Sequence, residues 1–77
     1  MNVKEAQQQL EFSAQQIFDN FDVDNQIYSA IQNIQSDIEI KLEDEEDLCK
    51  LRDAALILGF TSYINHSDNN KVFISWE

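Results

Sequence analysis

Proline is missing from these 77 residues and glycine occurs once, as Gly59. The chain therefore lacks the usual turn punctuation and linker composition, so long helices are the expected elements and one domain spanning 1–77 is expected. Cysteine also occurs once, as Cys49, which excludes an intramolecular disulfide. Residues 1–10 intersperse Lys, Glu and Gln where a secretory signal needs an apolar run, so a reducing, cytoplasmic location is expected. The longest uninterrupted apolar stretch, Ala54 to Leu58, falls far short of the roughly 20 residues needed to span a bilayer, and no membrane segment is expected.

The same scarcity narrows the chemistry. One histidine and one cysteine make no zinc set, and one glycine makes no phosphate-cradling loop. Cys49 and His66 are the sole thiol and imidazole, and each has an ordinary reading: a half-buried thiol on an amphipathic helix, and a solvated side chain beside a turn. Asp19, Asp22 and Asp24 cluster with Asn20 and Asn25, but a calcium loop beginning at Asp22 would place Ile27 where glycine is needed and Asn33 where glutamate is needed. Turn formation and helix capping account for these residues. No catalytic group, metal or cofactor is expected, and the protein is read as a non-enzyme.

Bases are scarce as well, five Lys and Arg against fifteen Asp and Glu, for a net charge of −10. Such an imbalance repels nucleic acid and anionic lipid and favours a basic protein partner. An amphipathic membrane-surface helix would need Lys and Arg on its polar face, which this composition does not supply. With 43% hydrophobic residues the chain can still build a small core, so the acids decorate a folded unit.

What is present reads as α+β: two or three N-terminal helices packed with a C-terminal β-hairpin. Val3, Ala6, Leu10, Ala14, Ile17, Phe18 and Phe21 fall mostly three or four apart, which predicts an amphipathic helix with Phe12 opposite the stripe. A turn over Asp19 to Asn25 follows, with Asp22 or Asp24 capping a second helix that begins near Asn25. Ile27, Ile31, Ile34, Ile38 and Leu42 continue a helical stripe, yet Ile38, Ile40 and Leu42 also alternate with charged residues as a half-buried strand would. Ser36 and Asp37 are poor mid-helix residues. The preferred reading is a helix to about Leu42, with Ile40 facing water; the alternative is a helix to Gln35 and a strand over 37–43.

A third helix has clearer ends: Asp44 as N-cap with Glu45, Glu46 and Asp47 in the first turn, and Gly59 with Phe60 as the stop. Thr61 to His66 and Lys71 to Trp76 then flank the turn-forming residues Ser67, Asp68, Asn69 and Asn70, which predicts a hairpin. Symmetric closure pairs Ile64 with Phe73, turns Thr61, Tyr63, Val72, Ile74 and Trp76 toward the helices, and leaves Ile64 and Phe73 outside.

The acids concentrate. Residues 37–53 hold Asp37, Glu39, Glu43, Asp44, Glu45, Glu46, Asp47 and Asp53 against three bases, net −5, half the chain's total. A helix start stabilised by its dipole explains part of the run. The sharper reading is a surface that resembles a row of phosphates and occupies the nucleic-acid groove of a basic protein, as an inhibitor or regulator. Phe12, Ile40, Ile64 and Phe73, the apolar residues this arrangement leaves outside, are the candidate apolar contacts, and size and composition suit an accessory protein of a phage or mobile element. Two alternatives stand beside it. One is a homodimer seam formed by those apolar residues or by free hairpin edges. The other is an acidic winged-helix DNA binder, disfavoured by charge, which requires Lys50, Arg52 and Lys71 to share one face.

Overall fold

The computed structural model describes residues 1–66 and 70–77. Among these, three helices, α1 (Val3–Asn20), α2 (Val23–Gln32) and α3 (Glu45–Ile57), accompany three strands, β1 (Asp37–Lys41), β2 (Thr61–Asn65) and β3 (Lys71–Ser75). The strands form an antiparallel sheet in the order β1-β3-β2. The α+β architecture with N-terminal helices is as the sequence reads, and the third strand joins the hairpin.

α1 opens on Asn2, whose side chain accepts a hydrogen bond from the Glu5 amide at 2.9 Å. Its second half carries the buried residues Ala14 and Phe18, with Ile17 and Phe21 packed beside them. A sharp elbow at Phe21 and Asp22 leads into α2, which starts at Val23, two residues before the expected Asn25. Asp22 takes a left-handed backbone (φ 57°) and makes no side-chain cap; its carboxylate instead accepts from Asn25 Nδ2 at 2.6 Å.

α2 stops well before Leu42. The Ile34 amide donates to the Ile31 carbonyl and the Gln35 amide to the Ala30 carbonyl, with Ile34 left-handed at φ 58°. This is the paired 5→2 and 6→1 bonding that closes a helix with a left-handed residue. Chain direction then changes, and residues 37–41 extend as β1. The helix to Leu42 is thereby corrected. The apolar positions 34, 38 and 42 fit a helical stripe by coincidence, while the alternation of Ile38, Ile40 and Leu42 matches the sheet that β3 provides.

That pairing also corrects the place of Ile40. It lies opposite Val72 on the inner face of the sheet and is 7% exposed. Ile64, expected outside, likewise pairs with Val72 from the other side and packs against the core. Tyr63, expected inside, lies on the outer face at 51% exposure and stacks on Phe73, ring centroids 4.8 Å apart. Five residues, 66–70, join β2 to β3 where a symmetric turn would use four. This slips the register by one residue and moves β2 side chains to the opposite face. The expected turn at Ser67, Asp68 and Asn69 lies outside the described residues.

The core sits between the inner sheet face and the helices. Phe18, Val23, Leu48, Leu51, Val72 and Ile74 are its largest fully buried side chains. α3 meets α1 on one side and β2 and β3 on the other, and Ala54 and Ala55, both buried, allow the close approach. Among the described residues no helix is long and apolar enough to cross a membrane.

Candidate interaction surface

The acidic run is fixed in place by the start of α3. Asp44 has an extended backbone and its side chain accepts from the Glu46 amide at 2.9 Å, so it caps the helix as its spacing predicts. Glu45, Glu46 and Asp47 fill the first turn, where unpaired amides and the helix dipole favour negative charge. Glu43, Asp44, Glu45 and Glu46 are exposed and Asp47 is half-buried. Asp53 is two turns further along α3 and also exposed.

Nearby basic side chains lie against these acids. Lys50 Nζ lies 3.4 Å from Glu46 Oε1, one turn away. Arg52 directs both Nε and Nη2 at Asp53 Oδ1, at 3.1 and 3.0 Å. His66, at the end of β2, places Nε2 3.7 Å from Glu45 Oε1 and so ties the hairpin to the helix start. These pairs are solvent-exposed, and each contributes little to stability. Six acids with Lys50 and Arg52 leave residues 43–53 at net −4.

Asp37 and Glu39 do not extend this surface. Strand alternation sends Ile38 and Ile40 inward toward the core, on the side where α2 meets β1, so Asp37 and Glu39 project from the outer sheet face, away from the helices. Glu39 there pairs with Lys71 across the β1–β3 ladder, 3.4 Å apart. The eight acids therefore divide into a six-member group around α3 and a pair on the far side of the sheet.

The candidate apolar contacts separate as well. Ile40 and Ile64 belong to the core, Phe12 stands exposed on α1 at 66%, and Phe73 is half-buried beneath Tyr63 on the outer sheet face. They form no common patch. Lys50 and Arg52 leave α3 about 200° apart around its axis, and Lys71 sits on the outer sheet face, so the three bases do not share a face. The second helix supplies no substitute, since α2 contains no Lys or Arg.

A surface feature outside those candidates is a shallow cavity of about 290 Å³ lined by Asp24, Ile27, Tyr28, Ile31 and Phe60. Ile31 had a place in the helical stripe, but α2 turns it outward, and Tyr28 beside it is exposed. The i, i+3 spacing of Tyr28 and Ile31, adjoining Ile27, was the available signal. At the neighbouring elbow, Gln15 Nε2 donates to Asp19 at 3.2 Å and to Asp24 at 2.8 Å. The aspartates there are thus engaged in local amide contacts. No group of three His, Cys, Asp or Glu side chains among the described residues is placed to hold a metal ion. The chain matches no protein-family model, no curated protein and no solved structure. The fold and its surface define an acidic α+β domain with a charged helix start presented to solvent.

Proposed function

We propose that this is a non-enzymatic interaction protein that binds a basic, nucleic-acid-handling protein inside the cell and inhibits or regulates it by occupying its charged groove. The observation that supports this reading is the clustering of Glu43, Asp44, Glu45, Glu46 and Asp47 on one capped helix start, with Asp53 on the same helix. A rigid helix holds these carboxylates at fixed separations, which is what imitation of a phosphate row requires. Their field steers a cationic partner and raises its association rate, and the contact then blocks the partner's own ligand. Asp37 and Glu39 add long-range charge from the opposite side of the sheet. Direct DNA binding has less support, because Lys50, Arg52 and Lys71 each face a carboxylate and point in different directions.

The test is affinity capture from a lysate of the native host, with the wild-type chain beside a variant carrying Glu43→Gln, Glu45→Gln and Glu46→Gln. A captured nucleic-acid-handling protein that the triple variant loses, and that dissociates more readily as salt rises, supports the reading. Retention of every partner by the triple variant, or an affinity indifferent to salt, overturns it.

A further inference from the structure

Tyr28 and Ile31 leave large apolar side chains in water, 68% and 52% exposed, at the mouth of the cavity beside α2. Ile27 next to them packs against the core, and Phe60 lies tilted against the buried Phe18 with ring centroids 5.6 Å apart. The cavity they line with Asp24 is therefore backed by the core on one side and open on the other. Helical geometry brings its α2 residues together: positions 24, 27, 28 and 31 fall within about 100° of arc, and Asp24 stands one turn before Tyr28. At about 290 Å³ the cavity lies at the lower end of the roughly 300–1,000 Å³ usual for ligand sites, which suits a single side chain better than a larger molecule.

Charge narrows what can enter. Among the residues lining the cavity, Asp24 alone is charged. Gln15 Nε2 donates to its Oδ2 at 2.8 Å and so holds the carboxylate, while Oδ1 has no side-chain donor among the described residues. α2 contains no Lys or Arg, the last turn of α3 before Phe60 has no base, and Asp24 forms no ion pair among the described residues. An anion is repelled by Asp24 and by the net charge of −10. A purely apolar side chain would desolvate the carboxylate without replacing its lost water. A lysine ammonium is strongly hydrated and brings three donors to one free acceptor. A guanidinium is planar and weakly hydrated, lies on an aromatic face, and donates from its edge to a carboxylate, while its methylene stem covers apolar surface. Tyr28, Asp24 and Ile31 offer those three contacts in one place.

We propose that the cavity between α2 and Phe60 is a binding site for an arginine side chain of a partner protein, with the guanidinium between the Asp24 carboxylate and the Tyr28 ring and the stem along Ile31 and Phe60. The identity of the carrier as the basic partner of the preceding section rests on that reading; the preference of the cavity for a guanidinium does not. Phe60 follows the C-terminal end of α3 and the acidic run opens its N-terminal end, so the two contacts lie about 20 Å apart, the length of that helix. The acids steer the partner, and the cavity supplies the short-range contact that fixes its orientation.

Amide chemical-shift mapping of the isotope-labelled full chain tests this, by titration with N-acetyl-arginine amide at a constant ionic strength of about 0.15 M. The expected result is saturable binding in the millimolar range, with the shifts centred on Asp24, Tyr28, Ile31 and Phe60. The neutral isostere N-acetyl-citrulline amide and the lysine counterpart bind more weakly. Asp24→Asn lowers the affinity about threefold to tenfold and Tyr28→Leu about threefold, both at exposed positions where an unchanged melting temperature shows the fold intact. The variant carrying Glu43→Gln, Glu45→Gln and Glu46→Gln binds the probe as the wild type does, so a failed capture of a nucleic-acid-handling protein and a failed cavity are separate results. Absence of saturable shifts overturns the proposal. So do shifts centred on the acidic run, equal binding of the citrulline or lysine compound, or an affinity untouched by Asp24→Asn and Tyr28→Leu.

Discussion

Ile34 and Gly59 occupy the same position of the same helix-ending motif. In each, the residue is left-handed (φ 58° and 94°), its amide bonds the carbonyl three residues back, and the next amide bonds the carbonyl five residues back. Glycine fits that backbone without cost, whereas a β-branched side chain crowds the carbonyl beside it. Nothing stands within 4 Å of a Cβ added at Gly59, and Ile34 is 95% exposed, so backbone preference alone separates the two. Ile34→Asn is expected to raise stability by about 1 kcal/mol and Gly59→Ala to lower it by about 1 kcal/mol. Urea denaturation of both variants checks the pair, and equal, near-zero shifts would contradict the motif.

The inward position of Ile40 gives a second expectation. Ile40→Ala removes packing against Val72 and the core and should cost about 2–4 kcal/mol, whereas Ile31→Ala, on the exposed side of α2, should cost less than about 1 kcal/mol. A helix extended to Leu42 would leave Ile40 in water and make its substitution harmless. Chemical denaturation distinguishes the two.

β2 offers the same kind of check on register. Ile64 faces the core and Tyr63 faces solvent, so Ile64→Ala should destabilise clearly more than Tyr63→Ala, despite the smaller side chain. Comparison of their unfolding midpoints reads the strand face directly; the reverse order would indicate a four-residue turn.

Capping of α3 is separable from its charge. Asp44→Ala should cost about 1 kcal/mol through loss of the bond to the Glu46 amide, while Asp44→Asn, which keeps the acceptor, should cost only a fraction of that. Thermal melts at high salt, where dipole effects are screened, isolate the hydrogen bond. Equal losses for the two variants would assign the effect to charge.

Self-repulsion among fifteen acids should make stability rise with added salt. The exposed pairs of Lys50 with Glu46 and of Lys71 with Glu39 weaken under the same conditions, but such pairs contribute little. A melting temperature that climbs between low and moderate sodium chloride is the expected outcome, and a fall would mean the ion pairs outweigh the net charge.

Local chemistry accounts for what the sequence reveals well. Asp44, the first-turn acids, Gly59 and Phe60 mark both ends of α3 because capping and left-handed closure depend on a few adjacent residues. The stop of α2 is hidden because isoleucine fills the place glycine usually takes, and Ser36 and Asp37 give only a weak sign that the helix has ended. In the candidate site, the grouping of Glu43 to Asp47 is legible from contiguity. The separation of Asp37 and Glu39 from that group is not, because it depends on which face of β1 turns inward.

Composition and periodicity by themselves determined an acidic chain, an amphipathic first helix, a capped third helix and a C-terminal hairpin, since each follows from interactions within a few turns or across one connection. Tertiary structure decided the rest. Whether residues 37–41 became helix or strand rested on β3 offering free backbone groups and an apolar face for Ile40 to join Val72. The face of β2 rested on one residue of connection length. The surplus acids, finally, were parted by the sheet itself, because alternate side chains of a strand must leave on opposite sides.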